Sequence, residues 1–469
     1  MSRTIQDWKA KRIHFVGIGG AGMSGLARIA LSHGVSVSGS DAKDSSVVTG
    51  LRALGATVSV GHAAENVDGA DVVIFSSAIS ETNPEKIRAQ ESGLEILTRA
   101  QALATLMSSS KSVAVAGTHG KTTTSSMLTV ALQACGLDPS FAIGGTLTTS
   151  GSNAHKGTGE LFVAEADESD GSFIEYKPFA AIVTNVEHDH VDYFHTPQAV
   201  TDAFTDFAST ISPEGFLVYC ADDKGSLALG LATSQLPQAP TVISYGVTDG
   251  ADLRIDQISL LPMGASARVL WKGRSIGTLS LQVPGHHNLL NAAACLAMGL
   301  SLGAAPQDLL TGLHSFRGAG RRFELKGTVH GIRVIDDYGH HPTEIKVTLT
   351  AAKHFAGDGR VLVIFQPHRY SRTQAFLNDF AHALDIADQT ILLEIYAASE
   401  KEIPGVSAEL ISSQMKHGKF IPNFIEASDW MIDNAMPGDV IVTLGAGDVN
   451  SLAPIITEGL SRRFSDDAK

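Results

Sequence analysis

Cysteine is scarce. The chain of 469 residues has three, Cys135, Cys220 and Cys295, too few and too scattered for a disulfide framework or a zinc site, so a reducing, cytoplasmic setting is expected. Aromatics are only 6%, and the cores must therefore be mostly aliphatic. No run of 18 apolar residues occurs, so no membrane span is expected. The opening MSRTIQDWKAKRIHFVGIGG sets a short apolar run after basic residues, but that run reads as a strand feeding a glycine turn and lacks a cleavable-signal pattern. Positive charge is in deficit: 35 Lys and Arg against 49 Asp and Glu leave −14. That argues against nucleic acid as a general partner and leaves local small-anion sites open. Repeats of 20–50 residues and low-complexity tails are absent.

What is present is apolar residue content of 43% and 46 glycines, many in clusters. Apolar runs of four to six residues alternate with amphipathic stretches, the pattern of an α/β protein with mostly parallel sheets. The length suits two or three domains. The reading is three: residues 1–108, a compact doubly wound unit; 109–320, a central α/β unit with a β-rich section near 215–283; and 321–469, again a parallel α/β unit.

Five motifs carry chemistry. GTHGKTTT, Gly117 to Thr124, lies between a strand and a helix start. Its glycines let the backbone curl around a phosphate, Lys121 can reach the β- and γ-phosphates, and Thr122 can hold Mg²⁺. The strict P-loop pattern would want glycine at Val115, so only the shorter G-x-x-G-K-T form is kept. AEADESDGSF displays Glu165, Asp167, Glu168 and Asp170 at a strand end, where carboxylates suit Mg²⁺. TNVEHDHVDYF displays His188, Asp189 and His190 at the next. GIGGAG fits G-x-G-x-x-G through Gly17, Gly19 and Gly22, with Asp41 about 20 residues on, a pyrophosphate-binding fingerprint. In the third block DDYGHHPTEI and FQPHRYSRT each end a strand and offer acids, histidines, Arg369 and Arg372, whose forks suit carboxylates and phosphates. His14, His33, His314 and His382 have no such company and read as packing or surface residues.

As a set, in this order, GIGGAGMSGLA, GTHGKTTT, EADESDGSF, TNVEHDHVDYF, GHHNLLNAAA, GAGRRFE, DDYGHHPTEI and QPHRYSRT resemble the Mur ligases of peptidoglycan synthesis over essentially the whole chain. The resemblance implies three domains: an N-terminal Rossmann-like one for a UDP-substrate, a central P-loop ATPase-type one for ATP, and a C-terminal Rossmann-like one that helps close over ATP and an amino acid. It implies that Gly117, Thr118, Gly120, Lys121, Thr122 and Thr123 cradle the ATP phosphates. Asn291, Arg322, Asp337 and Tyr338 would contact the nucleotide. Thr122, Glu165 and His190 would ligate Mg²⁺, and His340, Arg369 and Arg372 would face the reacting carboxylate and the amino acid. Gly17, Gly19, Gly20, Gly22, Ser40, Asp41, Ser76 and Ser77 would bind the UDP-substrate. Several relatives carry a carbamylated lysine downstream of the metal histidine; Thr201–Ile211 has no lysine.

Among its branches the motif set is most similar to the one that joins L-alanine to the lactyl carboxylate of UDP-N-acetylmuramate through an acyl phosphate, with ATP and Mg²⁺. The nearest alternative attaches the recycled peptide L-Ala-γ-D-Glu-meso-diaminopimelate to the same sugar nucleotide. Tyr338 and Gly339 favour the alanine branch, since the peptide branch tends to carry Phe-Ala there. An NAD-dependent oxidoreductase would leave GTHGKTTT unexplained. A non-catalytic nucleotide-binding regulator would leave Glu165 and His190 without a purpose.

Overall fold

The computed structural model describes residues 4–76, 79–398 and 400–466; Ser77 and Ser399 lie outside the described residues. The first unit is a five-stranded parallel sheet of β1 (Arg12–Val16), β2 (Ser36–Asp41), β3 (Thr57–Val60), β4 (Val72–Phe75) and β5 (Glu95–Thr98), in the order β3-β2-β1-β4-β5. The strand order reverses beside β1, where open parallel sheets place their ligand crevice.

The central unit holds β6 (Lys111–Ala116), β7 (Ser140–Ala142), β8 (Ala154–His155), β9 (Leu161–Glu165), β10 (Ala180–Val183), β11 (Phe216–Cys220) and β12 (Thr241–Gly246). Three longer strands follow, β13 (Leu253–Leu261), β14 (Gly264–Trp271) and β15 (Arg274–Leu281). All ten form one sheet, ordered β15-β14-β13-β12-β11-β10-β6-β9-β7-β8. The β-rich section of the sequence is thus an antiparallel meander continuing the parallel sheet, joined where β13 pairs with β12 at Tyr245–Leu253 and Gly246–Arg254. Alternate residues of β13 and β14, including Leu253, Ile255, Ala267 and Val269, bury one face, as expected for strands covered on one side only.

The third unit holds β16 (Glu324–Val329), β17 (Ile332–Asp337), β18 (Val361–Phe365), β19 (Gln389–Leu392), β20 (Gly418–Phe420) and β21 (Val440–Leu444), ordered β16-β17-β21-β18-β19-β20 and parallel apart from β16. Among the described residues no helix is long and apolar enough to cross a membrane.

The cores divide unevenly. One buried cluster runs without a break from the first unit (Phe15, Leu26, Leu103) into the central one (Phe162, Phe173, Phe204). The helix Ala21–Ser32 packs on β8, and the helix Arg99–Met107 packs on the turn Ser172–Tyr176. The third sheet has its own clusters on its two faces, and among the described residues these contain nothing before Phe323. Its side-chain contacts with the central unit include the ion pairs Arg372–Asp189 and Arg369–Asp192.

Candidate active site

Three central motifs emerge from neighbouring strand ends because β10, β6 and β9 run parallel in that order. The phosphate-loop motif follows β6. Gly117 has φ +130°, and a Cβ there would lie 2.0 Å from Thr184 Oγ1, so only glycine fits. Gly120, at φ +84°, is the N-cap of the helix Lys121–Ala134, and no side chain caps that end. The first-turn N–H groups and the positive end of the helix dipole therefore face whatever anion the loop surrounds. The loop is tied to the segment after β10: His119 N–H donates to Asn185 Oδ1 (2.8 Å), and Glu187 N–H donates to Thr118 Oγ1 (2.9 Å). Lys121 Nζ donates to the carbonyls of Gly117 (2.7 Å) and Thr118 (3.1 Å) and pairs with Glu168 (2.9 Å). Burial works against its charge, but Glu168 and Asp167 outweigh burial and hold its pKa above the ordinary value.

Glu165 closes β9. Thr122 Oγ1 donates to its Oε1 (3.0 Å), and Gly144 N–H donates to its Oε2 (2.7 Å). His190, after β10, has φ 51°, a conformation that costs a non-glycine residue on the order of 1 kcal/mol and clusters at working sites. Its Nε2 lies 3.4 Å from Glu168 Oε1. Thr122, Glu165 and His190 line one cavity of about 570 Å³ with Lys121 and Asp167. A hydroxyl, carboxylates and one imidazole form a hard, oxygen-dominated donor set that fits Mg²⁺.

The same cavity is lined from the third unit by Arg322, Tyr338, His340, Arg369 and Arg372. Arg372, 4% exposed, donates through Nε (3.2 Å) and Nη2 (3.0 Å) to Asp189 Oδ1. Burial alone would raise the Asp189 carboxyl, but the guanidinium beside it holds it well below the usual range. Arg369, at φ 73°, pairs with Asp192. His340 Nδ1 lies 3.1 Å from the Tyr338 carbonyl. A carbonyl only accepts, so Nδ1 carries the proton and Nε2 keeps its lone pair. Burial pushes the His340 pKa down to about 3 despite the opposing charge of Glu344, and the ring is neutral.

A second cavity, about 450 Å³, has an apolar wall that includes Pro284, Phe316 and Phe323, and a polar mouth at Gly120, Thr123, Asn291, Arg322 and Asp337. Asn291 comes from the helix His286–Ser301 and is buried. The Asp337 carboxylate accepts N–H groups from Phe323 and Gly339 (2.8 Å each) and the Thr348 hydroxyl (3.1 Å), and burial raises its pKa. Tyr338 lines the larger cavity instead, its ring 4.9 and 5.0 Å from the guanidinium carbons of Arg321 and Arg322. The two residues expected to contact one nucleotide therefore line different cavities.

The glycine fingerprint of the first unit opens a third cavity of about 320 Å³. Gly20 is the N-cap of the helix Ala21–Ser32, again without a capping side chain. Gly20, Gly22, Ser76 and Arg99 face Glu165 and Asp167 across this space. Gly17, Gly19, Ser40 and Asp41 brace the turn rather than line the cavity. Gly19 N–H donates to Asp41 Oδ2 (2.8 Å), Gly17 N–H donates to the Ser40 carbonyl (2.9 Å), and the Ser40 hydroxyl donates to buried Glu85 (2.6 Å). Ser77 falls outside the described residues. Arg99, Glu344 and His119 were not singled out by motif. Arg99 opens a helix whose Thr98 and Gln101 form a capping box, and Glu344 completes another with His341, so capping spacing was the available signal.

One uncapped helix start on either side of a shared acid cluster is the arrangement of a nucleotide-dependent enzyme acting on a second phosphorylated molecule. The chain belongs to the Mur ligase family. Residues 12–111 match "Mur ligase family, catalytic domain", 115–299 "Mur ligase middle domain" and 321–447 "Mur ligase, glutamate ligase domain". The chain is 49% identical over 459 residues to the UDP-N-acetylmuramate–L-alanine ligase of Renibacterium salmoninarum, covering 96% of each chain. It is 48% identical over 449 residues to that of Paenarthrobacter aurescens, covering 96% of this chain and 97% of that one. The crystal structure of the UDP-N-acetylmuramate-alanine ligase of Thermotoga maritima superposes with a TM-score of 0.80 at 31% identity, covering 97% of this chain and 100% of the other. A murein peptide ligase of Psychrobacter arcticus superposes with a TM-score of 0.72 at 26% identity, covering 96% and 99%.

Proposed function

We propose that the protein is an ATP-dependent ligase that joins L-alanine to the lactyl carboxylate of UDP-N-acetylmuramate, releasing ADP and phosphate, in cytoplasmic peptidoglycan precursor synthesis. The observation that carries this reading is identity of 49% and 48%, over 96% of this chain, to ligases named for that reaction.

A carboxylate is a poor acylating agent, so it must first be activated. The lactyl carboxylate attacks the γ-phosphorus of ATP, and the acyl phosphate formed then takes the alanine amine at its carbonyl carbon with loss of phosphate. Both partners of the first step are anions. Lys121 exchanges its two carbonyls and Glu168 for phosphate oxygens, and the uncapped start of the helix Lys121–Ala134 adds backbone N–H groups. Thr122, Glu165 and His190 are the residues that would hold Mg²⁺, which supplies charge neutralisation between phosphate and carboxylate when bound. Asn291 and Asp337 would take the nucleoside in the apolar-walled cavity. The start of the helix Ala21–Ser32, with Arg99, would take the UDP pyrophosphate. Arg369 and Arg372 orient the carboxylate groups. The low pKa of His340 means that its Nε2 accepts a hydrogen bond from the amine but does not retain a proton at neutral pH.

The test is phosphate release from Mg·ATP with UDP-N-acetylmuramate and, in turn, no amino acid, L-alanine, or L-Ala-γ-D-Glu-meso-diaminopimelate. Release that requires L-alanine is expected. Release that requires the tripeptide would transfer the protein to the peptide-adding reaction, and none with any acceptor would refute the ligase reading.

A further inference from the structure

His119 lies in the phosphate loop, and its own share of the loop's anchoring is made by its backbone groups. Its N–H donates to Asn185, and its carbonyl accepts the Thr184 hydroxyl (2.6 Å) and the Asn185 amide (3.1 Å). The side chain is left to reach across the seam. Its Nε2 lies 3.4 Å from Glu187 of the central unit, and its Nδ1 lies 3.4 Å from Glu344 in the helix Pro342–Ala356 of the third unit. Glu344 is a junction. It accepts the N–H groups of His340 (2.9 Å) and His341 (3.3 Å), and it lies 3.9 Å from Arg322 and 3.6 Å from His340 Nδ1. Arg322 lines both the 450 Å³ and the 570 Å³ cavity.

One ring nitrogen or carboxylate oxygen from each of His119, Glu187 and His341 falls within 4.8 Å of the others, a spacing that invites a metal ion. The hydrogen bonding opposes it. His341 Nδ1 accepts the Thr343 N–H (3.3 Å), so its Nε2 must carry the proton and has no lone pair to give. Two carboxylates with one cation between them account for the arrangement without a metal.

We propose that the His119 side chain is a positioning residue, bridging Glu187 and Glu344 so that the helix Pro342–Ala356, and with it His340 and Arg322, is held in register against the phosphate loop. The titratable groups facing the ring are Glu187, Glu344 and His341, with Arg322 and His340 on the far side of Glu344. Burial disfavours the His119 cation, but the two carboxylates more than reverse that and raise its pKa to about 9. Burial and the His119 charge together push His341 down to about 4, which keeps the neighbouring ring, 4.7 Å away, neutral. Because the His119 value is raised from the ordinary 6.5, the bridge is complete below about 6.5 and is lost as pH rises through about 9. The inference takes from the proposed function only that the loop holds ATP phosphates.

The test compares His119→Asn, Glu344→Gln and the double variant in the full chain. The first readout is hydrogen exchange of the His340 and His341 amides, without nucleotide or acceptor, across pH. The second is KM for ATP against kcat. His119→Asn should speed exchange and raise KM by roughly tenfold, within the coupling range of groups in one network, and the wild-type protection should fade near pH 9. The double variant should be no worse than the worse single one. Glu187→Gln, which removes the carboxylate that faces His119 and also accepts the Thr343 hydroxyl across the seam (2.9 Å), should move both readouts in the same direction. Unchanged exchange and KM in His119→Asn, or strictly additive effects in the double variant, would overturn the bridge. Since exchange is read without turnover, a protein inactive on L-alanine that still shows this loss would refute the alanine-adding assignment and leave the bridge standing.

Discussion

Replacing Arg372 by methionine asks how firmly the third unit is held. Asp189 would be left 5% exposed and without its counter-charge, the oxygen that accepts both guanidinium donors keeping only the His190 N–H (2.6 Å). Orphaning one member of a buried pair costs roughly 3–5 kcal/mol, more than a hundredfold in an equilibrium constant. That cost has an outlet. The third sheet's buried clusters hold nothing before Phe323 among the described residues, so swinging the unit out rehydrates Asp189 while the two other cores stay intact. The expected effect of Arg372→Met is therefore opening rather than unfolding. Small-angle scattering should show a larger radius of gyration and hydrogen exchange should rise along the seam, with little change in the melting of the central unit. Adding Asp189→Leu removes the second charge and should restore the closed form to within about 1 kcal/mol, since apolar replacement of a whole buried pair is often neutral. A closed Arg372→Met variant, or a double variant as open as the single, would refute the reasoning.

Lys121→Ala should lower single-turnover phosphate release by a factor of roughly 10²–10³, about 3–4 kcal/mol of transition-state stabilisation; turnover near the wild-type rate would remove the phosphate cradle. Glu85, fully buried, is pushed up by burial but pulled down further by the nearby His14 ring (3.9 Å) and by hydrogen bonds from Ser40 and Asn66, from the ordinary 4.5 to about 2. A lowered carboxyl stabilises above its unfolded value and loses that contribution as pH falls. The thermal stability of the wild type should thus drop between about pH 4.5 and 2 more steeply than that of Glu85→Gln, and equal slopes would refute the assignment.

Motifs that carry their own turn were legible in the chain. Gly117, Lys121 and Thr122 are read from a strand, a glycine turn and a helix start, and parallel pairing then sets Glu165 and the segment to His190 beside them. Contacts between units were not legible, because nothing local ties Arg372 to Asp189, 183 residues apart, or His119 to Glu344. Asp337 and Tyr338 are adjacent in sequence and line different cavities, since the chain turns as it leaves β17. The hydroxyl of Ser40 sits in the fingerprint yet turns to Glu85, because a buried carboxylate needs hydrogen-bond donors more than the turn needs a free hydroxyl. The meander β13–β15 was visible as strands, but its continuity with the parallel sheet rests on a two-residue pairing.

Glu165 lines both the cavity at the start of the helix Ala21–Ser32 and the larger cavity beside Lys121, and one unbroken apolar cluster joins the two units that flank it. On the proposed function, the grip on the sugar nucleotide and the acid at the site of activation would form a fixed gauge. A molecule held by its pyrophosphate would bring its carboxylate to the Glu165 end only if the arm between them had the matching length. The acceptor half of that site would hang on the third unit, which has cores of its own, so a lineage could change what is added without recutting the gauge that measures what is activated.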